Sequence, residues 1–200
     1  MDEQTIQQPV ISVEALKKGD RAEFARLVEL YSPAIYRLAL KMLGREQDAE
    51  DVLQDTFYKA LRSIQNFEER SSLSTWLYRI AMNESLMVLR KQKAQPGPVV
   101  EVDRENDEEG PDAPVEIVDW CCLPESEILD DEARKFMDTA IQTLSPALRA
   151  VFLLRDIQGL SVRETADSLR ISEASVKTRL LRARLKLREE LSIYFRERMK

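Results

Sequence analysis

Apolar residues recur at intervals of three and four over both ends of the chain, and no stretch sustains the alternation of a half-buried strand. Ile35, Leu38, Ala39 and Met42 form one stripe. Ala49, Val52, Leu53, Phe57, Ala60, Leu61 and Ile64 form a longer one, which predicts a helix from about Glu46 to Ile64. Leu73, Trp76, Leu77, Ile80 and Ala81 open a helix that runs to Lys93, and Ser71, Ser72 and Ser74 bring cap-forming hydroxyls to its start. Towards the other end Ala133, Phe136, Met137, Ala140, Ile141 and Leu144 make a further stripe, and Pro146 after Ser145 suits the first turn of a new helix. Gly159 stops a helix, and Ser161 and Glu164 are spaced as a capping box that starts a short one ending near Arg170. After a break over Arg170 to Ser172, with Ser172 as N-cap, a long helix carries Val176, Leu180, Ala183, Leu187 and Leu191 on one side. Ala166 and Val176 stand where these two helices must approach, which is helix-turn-helix spacing. The expected fold is all-α: two small helical domains with separate cores, the C-terminal one a helix-turn-helix.

Between them the stripes lapse. Residues 94–131 contain five of the eight prolines and read as a flexible acidic linker between domains at 1–93 and 132–200. As a coil it has an r.m.s. span of about 35 Å, enough to let the domains reach separate sites on one partner. Charge follows the same partition. Residues 1–93 hold 14 basic and 14 acidic residues, 94–131 hold 1 and 13, and 132–200 hold 15 and 9. The overall charge of −6 therefore hides a basic C-terminal domain. Histidine is absent, which excludes the common zinc sites, two-histidine iron sites and histidine-activated nucleophiles. Cys121 and Cys122 are adjacent and read as reduced linker thiols, with redox sensing as the lesser alternative. With neither a long apolar run nor a secretory leader, the chain reads as cytoplasmic, without direct membrane insertion.

Three places carry candidate chemistry. Asp48, Asp51 and Asp55, with Gln54 beside them, lie opposite the apolar stripe of their helix. They read as a solvated acidic face or as a docking surface for a basic partner. A metal-dependent hydrolase is the weakest reading, because no second acidic motif or glycine-rich phosphate loop accompanies them. The loop from Asn66 to Ser72 leads into a helix on which Thr75, Arg79, Asn83, Leu86 and Arg90 share one side. A helix start with free amides, with Arg and Asn below it, suits a phosphate and an unstacked base. Phe67, Trp76 and Tyr78 read as core or scaffold more than as stacking platforms. In the last long helix six cations, Lys177, Arg179, Arg182, Arg184, Lys186 and Arg188, occur with no acid between them. Their mutual repulsion argues against a merely solvated helix, and Lys177, Thr178, Arg182 and Lys186 face away from the apolar stripe, as a major-groove helix requires.

Asp48 to Phe57, Ser74 to Asn83, Leu144-Ser145-Pro146 and Gly159 to Arg184 together resemble a bacterial sigma factor of the extracytoplasmic-function (ECF) group of the sigma-70 family, over both flanks of the chain. The resemblance implies a non-enzymatic protein, without cofactors, that binds core RNA polymerase and directs it to promoter DNA. It implies that Asp48, Asp51, Gln54 and Asp55 dock on the β′ clamp helices, with a further contact to the β subunit. It implies that Asn66, Phe67, Ser71, Ser72, Arg79 and Asn83 capture the −10 element, with a base flipped from the non-template strand. Arg149, Arg155, Ser172, Ser175, Lys177, Thr178, Leu181, Arg182 and Lys186 are then the −35 residues, the two arginines lying near the DNA backbone. The linker would thread through the polymerase, and an anti-sigma factor, often one held at the inner membrane, is the expected regulator. The rival reading is a conventional helix-turn-helix regulator with a sensing or dimerising N-terminal bundle.

Overall fold

A computed structural model describes residues 11–94 and 131–198, and among these all regular structure is helical. The chain divides into two compact units between Ser85 and Leu86, a division that falls inside a helix.

The first unit contains α1 (Val13–Lys17), α2 (Arg21–Leu43), α3 (Glu46–Ser63), a 3₁₀ turn (Ile64–Asn66) and the start of α4 (Leu73–Ala94). Asp20 starts α2 by accepting the amides of Ala22 and Glu23 at 2.8 and 3.2 Å. Gly44 ends it at φ +73°, a left-handed conformation that costs a residue without a β-carbon little. The chain then turns back, and α3 packs along α2. Pro33 lies inside α2 on its exposed side, where the missing amide and the bulky ring do not disturb the packed face. Leu27, Ile35, Leu38, Ala39 and Met42 of α2, Ala49, Val52 and Ala60 of α3, and Leu77, Ala81 and Met82 of α4 are at most 1% exposed. Each of the larger ones contributes about 1.5–3 kcal/mol of transfer free energy. One expected core residue lies elsewhere: Leu61 is 52% exposed on the outer side of α3.

The second unit contains α5 (Asp131–Thr143), α6 (Pro146–Phe152), a π-helical turn (Leu153–Ile157), α7 (Val162–Leu169) and α8 (Glu173–Arg198). Pro146 occupies the first turn of α6, where its lack of an amide costs nothing. The π turn was not visible in the apolar spacing. It is followed by Gly159 at φ +72°, which redirects the chain into α7. The capping box forms in both directions, with Glu164 N–H donating to Ser161 Oγ at 3.1 Å and Ser161 N–H to Glu164 Oε2 at 2.9 Å. Arg170 ends α7 in the left-handed region at φ 56°. Ser172 Oγ then accepts the amide of Ser175 at 3.1 Å, at the start of α8. Ala166 and Val176 meet, as the helix-turn-helix spacing requires, in a cluster with Val151 and Leu180. The linker's residues 95–130, with Cys121 and Cys122, lie outside the described residues.

Candidate functional site

The amphipathic pattern of α3 buries Ala49, Val52, Thr56 and Ala60 and so leaves its acidic side outward. Asp51, Gln54 and Asp55 are exposed there. Asp48, nearer the core, is half-buried with Arg45 Nε 3.5 Å from its carboxylate. Tyr58, one turn beyond Gln54 and Asp55, and Leu61, about a turn further on, are 57% and 52% exposed. The outer side of α3 is therefore acidic at its start and apolar at its end. Sequence reasoning missed the apolar half because it assigned Leu61 to the core.

The loop between the 3₁₀ turn and α4 is fixed at both ends. Phe67 donates its amide to Ile64 O at 3.0 Å, and its ring is buried against Trp76 with centroids 5.1 Å apart. At the far end Ser72 caps α4, its hydroxyl accepting the Thr75 amide at 3.0 Å and its carbonyl the Trp76 amide at 3.0 Å. A recess of about 180 Å³ opens between these anchors, lined by Asn66, Phe67, Glu68, Arg70, Ser71, Trp76 and Arg79. Its lining sets amide, hydroxyl and guanidinium groups and the Glu68 carboxylate around the largely buried Phe67 and Trp76 rings, polar groups that can hydrogen-bond an unstacked base. Four of the residues expected at the −10 element, Asn66, Phe67, Ser71 and Arg79, line this one recess. Phe67 does so as a buried floor, 5% exposed, and not as an open stacking face. Arg70 and Trp76 join them, which the motif spacing did not indicate. Ser72 stands at the helix cap.

Asn83 faces a second recess. This one, of about 440 Å³, lies between α3 and α4 and is lined also by Tyr58, Lys59, Arg62, Ser63, Ile80 and Glu84. Lys59 Nζ and Glu84 Oε2 pair at 2.5 Å across it, and Arg62 lies 5.5 Å over the Tyr58 ring while donating to its hydroxyl at 3.0 Å. On the other side of α4, burial pushes the Tyr78 phenol above its ordinary pKa; nearby Tyr31 adds to this and Arg37 opposes it.

On α8, burial of Val176, Leu180, Ala183 and Leu187 turns the opposite side outward. Lys177 and Lys186 are exposed there, and Ser175, Thr178, Leu181 and Arg182 are partly exposed. Arg184 corrects the picture of a row of cations without acids: its Nε and Nη2 donate to Asp156 Oδ2 and Oδ1, both at 2.8 Å. The carboxylate comes from the π turn, so no helical spacing rule reveals the pair.

Arg149, expected near the DNA backbone, is turned inward and only 7% exposed. Its guanidinium donates to Gln142 Oε1 at 2.6 Å, to the Gln142 carbonyl and to Leu144 O at 2.9 Å, closing the C-terminal end of α5. Burial lowers its pKa from the usual guanidinium value. Arg155 is half-buried in the π turn, with its Nε out of contact with any hydrogen-bond partner. Among the described residues no group of three or more metal-ligating side chains is placed to hold an ion, and no helix is long and apolar enough to cross a membrane.

Comparison with known proteins follows the same division. The sequence model of Sigma-70 region 2 matches residues 27–95, which contain α3, the loop and α4. That of Sigma-70, region 4 matches residues 137–187, which contain the helix-turn-helix. The chain is 36% identical over 180 residues to the ECF RNA polymerase sigma factor SigW of Bacillus subtilis, covering 90% of this chain and 94% of that one. It is 34% identical over 187 residues to the RNA polymerase sigma-H factor of Pseudomonas aeruginosa, covering 92% and 94%. Among solved structures, the sigma factor RpoE in complex with the anti-sigma factor NepR from Bartonella quintana is similar at a TM-score of 0.62 and 27% identity, over 86% of this chain and 98% of that one. CnrH, in complex with the cytosolic domain of CnrY, shares the fold at a TM-score of 0.62 and 22% identity, over 90% and 95%.

Proposed function

The chain belongs to the ECF RNA polymerase sigma factors, and from that membership we propose how its residues divide the work of promoter recognition. As a member of that family it is a transcription-initiation protein that associates with core RNA polymerase. The acidic start of the outer α3 side, Asp48, Asp51, Gln54 and Asp55, docks on basic groups of the β′ clamp helices, with charge guiding encounter and register. The loop recess takes a base of the −10 element from the non-template strand. Its Asn66, Ser71 and Arg79 rim, through hydrogen bonds to the base and its phosphate, offsets part of the few kcal/mol that unstacking that base costs.

The outer side of α8 enters the major groove at the −35 element. Lys177 or Arg182 reading a guanine edge contributes about 1–3 kcal/mol of discrimination, and the remaining cations position the helix on phosphates. Arg149 and Arg184 support this helix-turn-helix from within. Bound to DNA alone the protein grips weakly, because the acidic linker opposes the phosphate backbone. An anti-sigma factor holds the protein inactive in the cytoplasm or at the inner membrane, a reading supported by the likeness to a sigma factor in complex with one.

The observation that carries the DNA reading is the recess of Asn66, Ser71 and Arg79 at the capped start of α4, in one chain with a fully formed helix-turn-helix. The test is reconstitution with bacterial core RNA polymerase followed by transcription from promoter fragments. A stoichiometric complex with specific start sites is expected. Asp51→Lys or Asp55→Lys is expected to weaken polymerase binding, whereas Arg182→Ala weakens −35-dependent initiation and leaves polymerase binding unchanged. Tight operator binding without polymerase would return the protein to the conventional regulators.

A further inference from the structure

The loop that forms the −10 recess has a middle section exposed to solvent between two firm anchors. Glu68, Glu69 and Arg70 are all exposed, and Glu69 sits at φ 58°, in the left-handed region that disfavours side chains with a β-carbon. Within the loop Arg70 Nε pairs with Glu68 Oε2 at 2.7 Å, a local contact that fixes neither to the rest of the unit. Glu69 is held differently. Lys17 Nζ, from α1, reaches its Oε1 at 2.7 Å, across 52 residues of sequence. The same ammonium stands 6.0 Å from the centroid of the Phe67 ring, the floor of the recess.

Lys17 does not reach out from a loose end. Its helix is capped by Ser12, whose hydroxyl accepts the Ala15 amide, and is pinned by Leu16 at 3% exposure. The amide of Ser12 itself donates to buried Glu23 of α2 at 2.6 Å, and α1 packs on both α2 and the 3₁₀ turn. A fixed cation thus clasps the one residue of the loop that adopts a strained backbone conformation. Strain of that kind persists where surrounding contacts over-determine it, and it sets where neighbouring groups point.

We infer that Lys17 is a positioning residue for promoter recognition: by clasping Glu69 and standing over Phe67 it fixes the shape of the recess, and with it which −10 base is accepted. The inference rests on the recess being the −10 base site. The pair is too exposed, at 31% and 58% of its side chains, to matter much for global stability. Its effect is therefore expected in selectivity and not in folding.

The experiment is transcription by the full chain with core RNA polymerase from a promoter library randomised separately at the −10 and −35 elements. Lys17→Ala and Glu69→Gln are each expected to reduce discrimination among −10 bases about two- to fivefold, the range a single exposed ion pair commands. The −35 preference should stay as in the unsubstituted protein. Exchange of the pair, Lys17→Glu with Glu69→Lys, should recover part of the lost discrimination, because it restores the bond but not the cation over Phe67. A −10 preference unchanged in both single variants overturns the inference, as does a loss that falls equally on −35 preference, or an exchanged pair as impaired as its parents. Absence of any −10 preference in the unsubstituted protein is a different result, since it overturns the sigma-factor reading of the recess itself.

Discussion

The two helical units hold their recognition elements by opposite means. In the C-terminal unit α8 is set from within: Val176 and Leu180 pack with Val151 and Ala166, and Arg184 is held by both oxygens of Asp156 with side chains only 25% and 18% exposed. In the N-terminal unit the loop over the recess is anchored by a buried ring at one end and a helix cap at the other, and clasped at its middle by an exposed ion pair. The difference suits what each is proposed to bind. A duplex groove of set width accepts a helix only at one rotation about its axis, so a packed and paired helix is suited to it. An extruded base brings its own conformational freedom, and a surface loop can meet it with modest local energies. The supporting contacts lie inside the core in one unit and at the solvent boundary in the other.

The largest expected effects concern whether the two units fold separately. Leu154 and Leu77 are each fully buried in their own unit, and truncation to alanine costs about 2–5 kcal/mol at such sites. Leu154→Ala is expected to lower the unfolding midpoint of the C-terminal unit alone, and Leu77→Ala that of the N-terminal unit alone. Urea titration followed by hydrogen exchange resolved along the chain measures both. A common shift of both transitions would mean that the units stabilise one another and that support for each recognition element is shared.

A smaller effect sharpens the contrast between inner and outer support. Arg184→Ala removes two charge-assisted hydrogen bonds and leaves Asp156 partly buried, a loss of about 1–3 kcal/mol. It should reduce −35-dependent initiation while −10 selection and polymerase affinity hold. Ser72→Ala removes the α4 cap, worth about 1 kcal/mol, and should do the reverse. Promoter libraries read with both variants separate the outcomes; equal effects on both elements would show that the two supports are not independent.

The helices were legible in the sequence because their signals are local. The α2 stripe of Ile35, Leu38, Ala39 and Met42 is buried throughout, and the Ser161 to Glu164 box forms as its spacing dictates. What escaped was long-range. Arg184 looked like one more groove cation because its acid lies 28 residues away, in a π turn that apolar periodicity cannot register. Arg149 looked like a phosphate contact because nothing in its neighbourhood marks the open carbonyls at the end of α5 as its partners. Leu61 had the right spacing for the core but lies at the edge of the stripe, where no further layer among the described residues covers it. At the loop, residue types identified the Asn66, Ser71 and Arg79 rim, whereas the separation of Asn83 into another recess depends on how α3 and α4 approach.

The smallest test compares two residues in the same rare backbone state, one in each unit. Arg170 at φ 56° ends α7, and Glu69 at φ 58° bends the loop. Left-handed backbone costs an ordinary residue roughly 1 kcal/mol that glycine does not incur. Arg170 is exposed, and its contribution to the turn is its backbone amide donating to Ala166 O, which glycine retains. Arg170→Gly should therefore stabilise the C-terminal unit by a few tenths to about 1 kcal/mol, offset in part by the greater freedom of glycine in the unfolded chain. Glu69→Gly relieves the same strain but gives up the exposed bond to Lys17, worth a few tenths of a kcal/mol, so the gain in the N-terminal unit should be the smaller of the two. Paired denaturation curves measure the difference, and its sign is the point of interest. An equal gain in both variants would mean that the Lys17 clasp contributes nothing to the folded loop, and that the loop's shape is set by its two anchors alone.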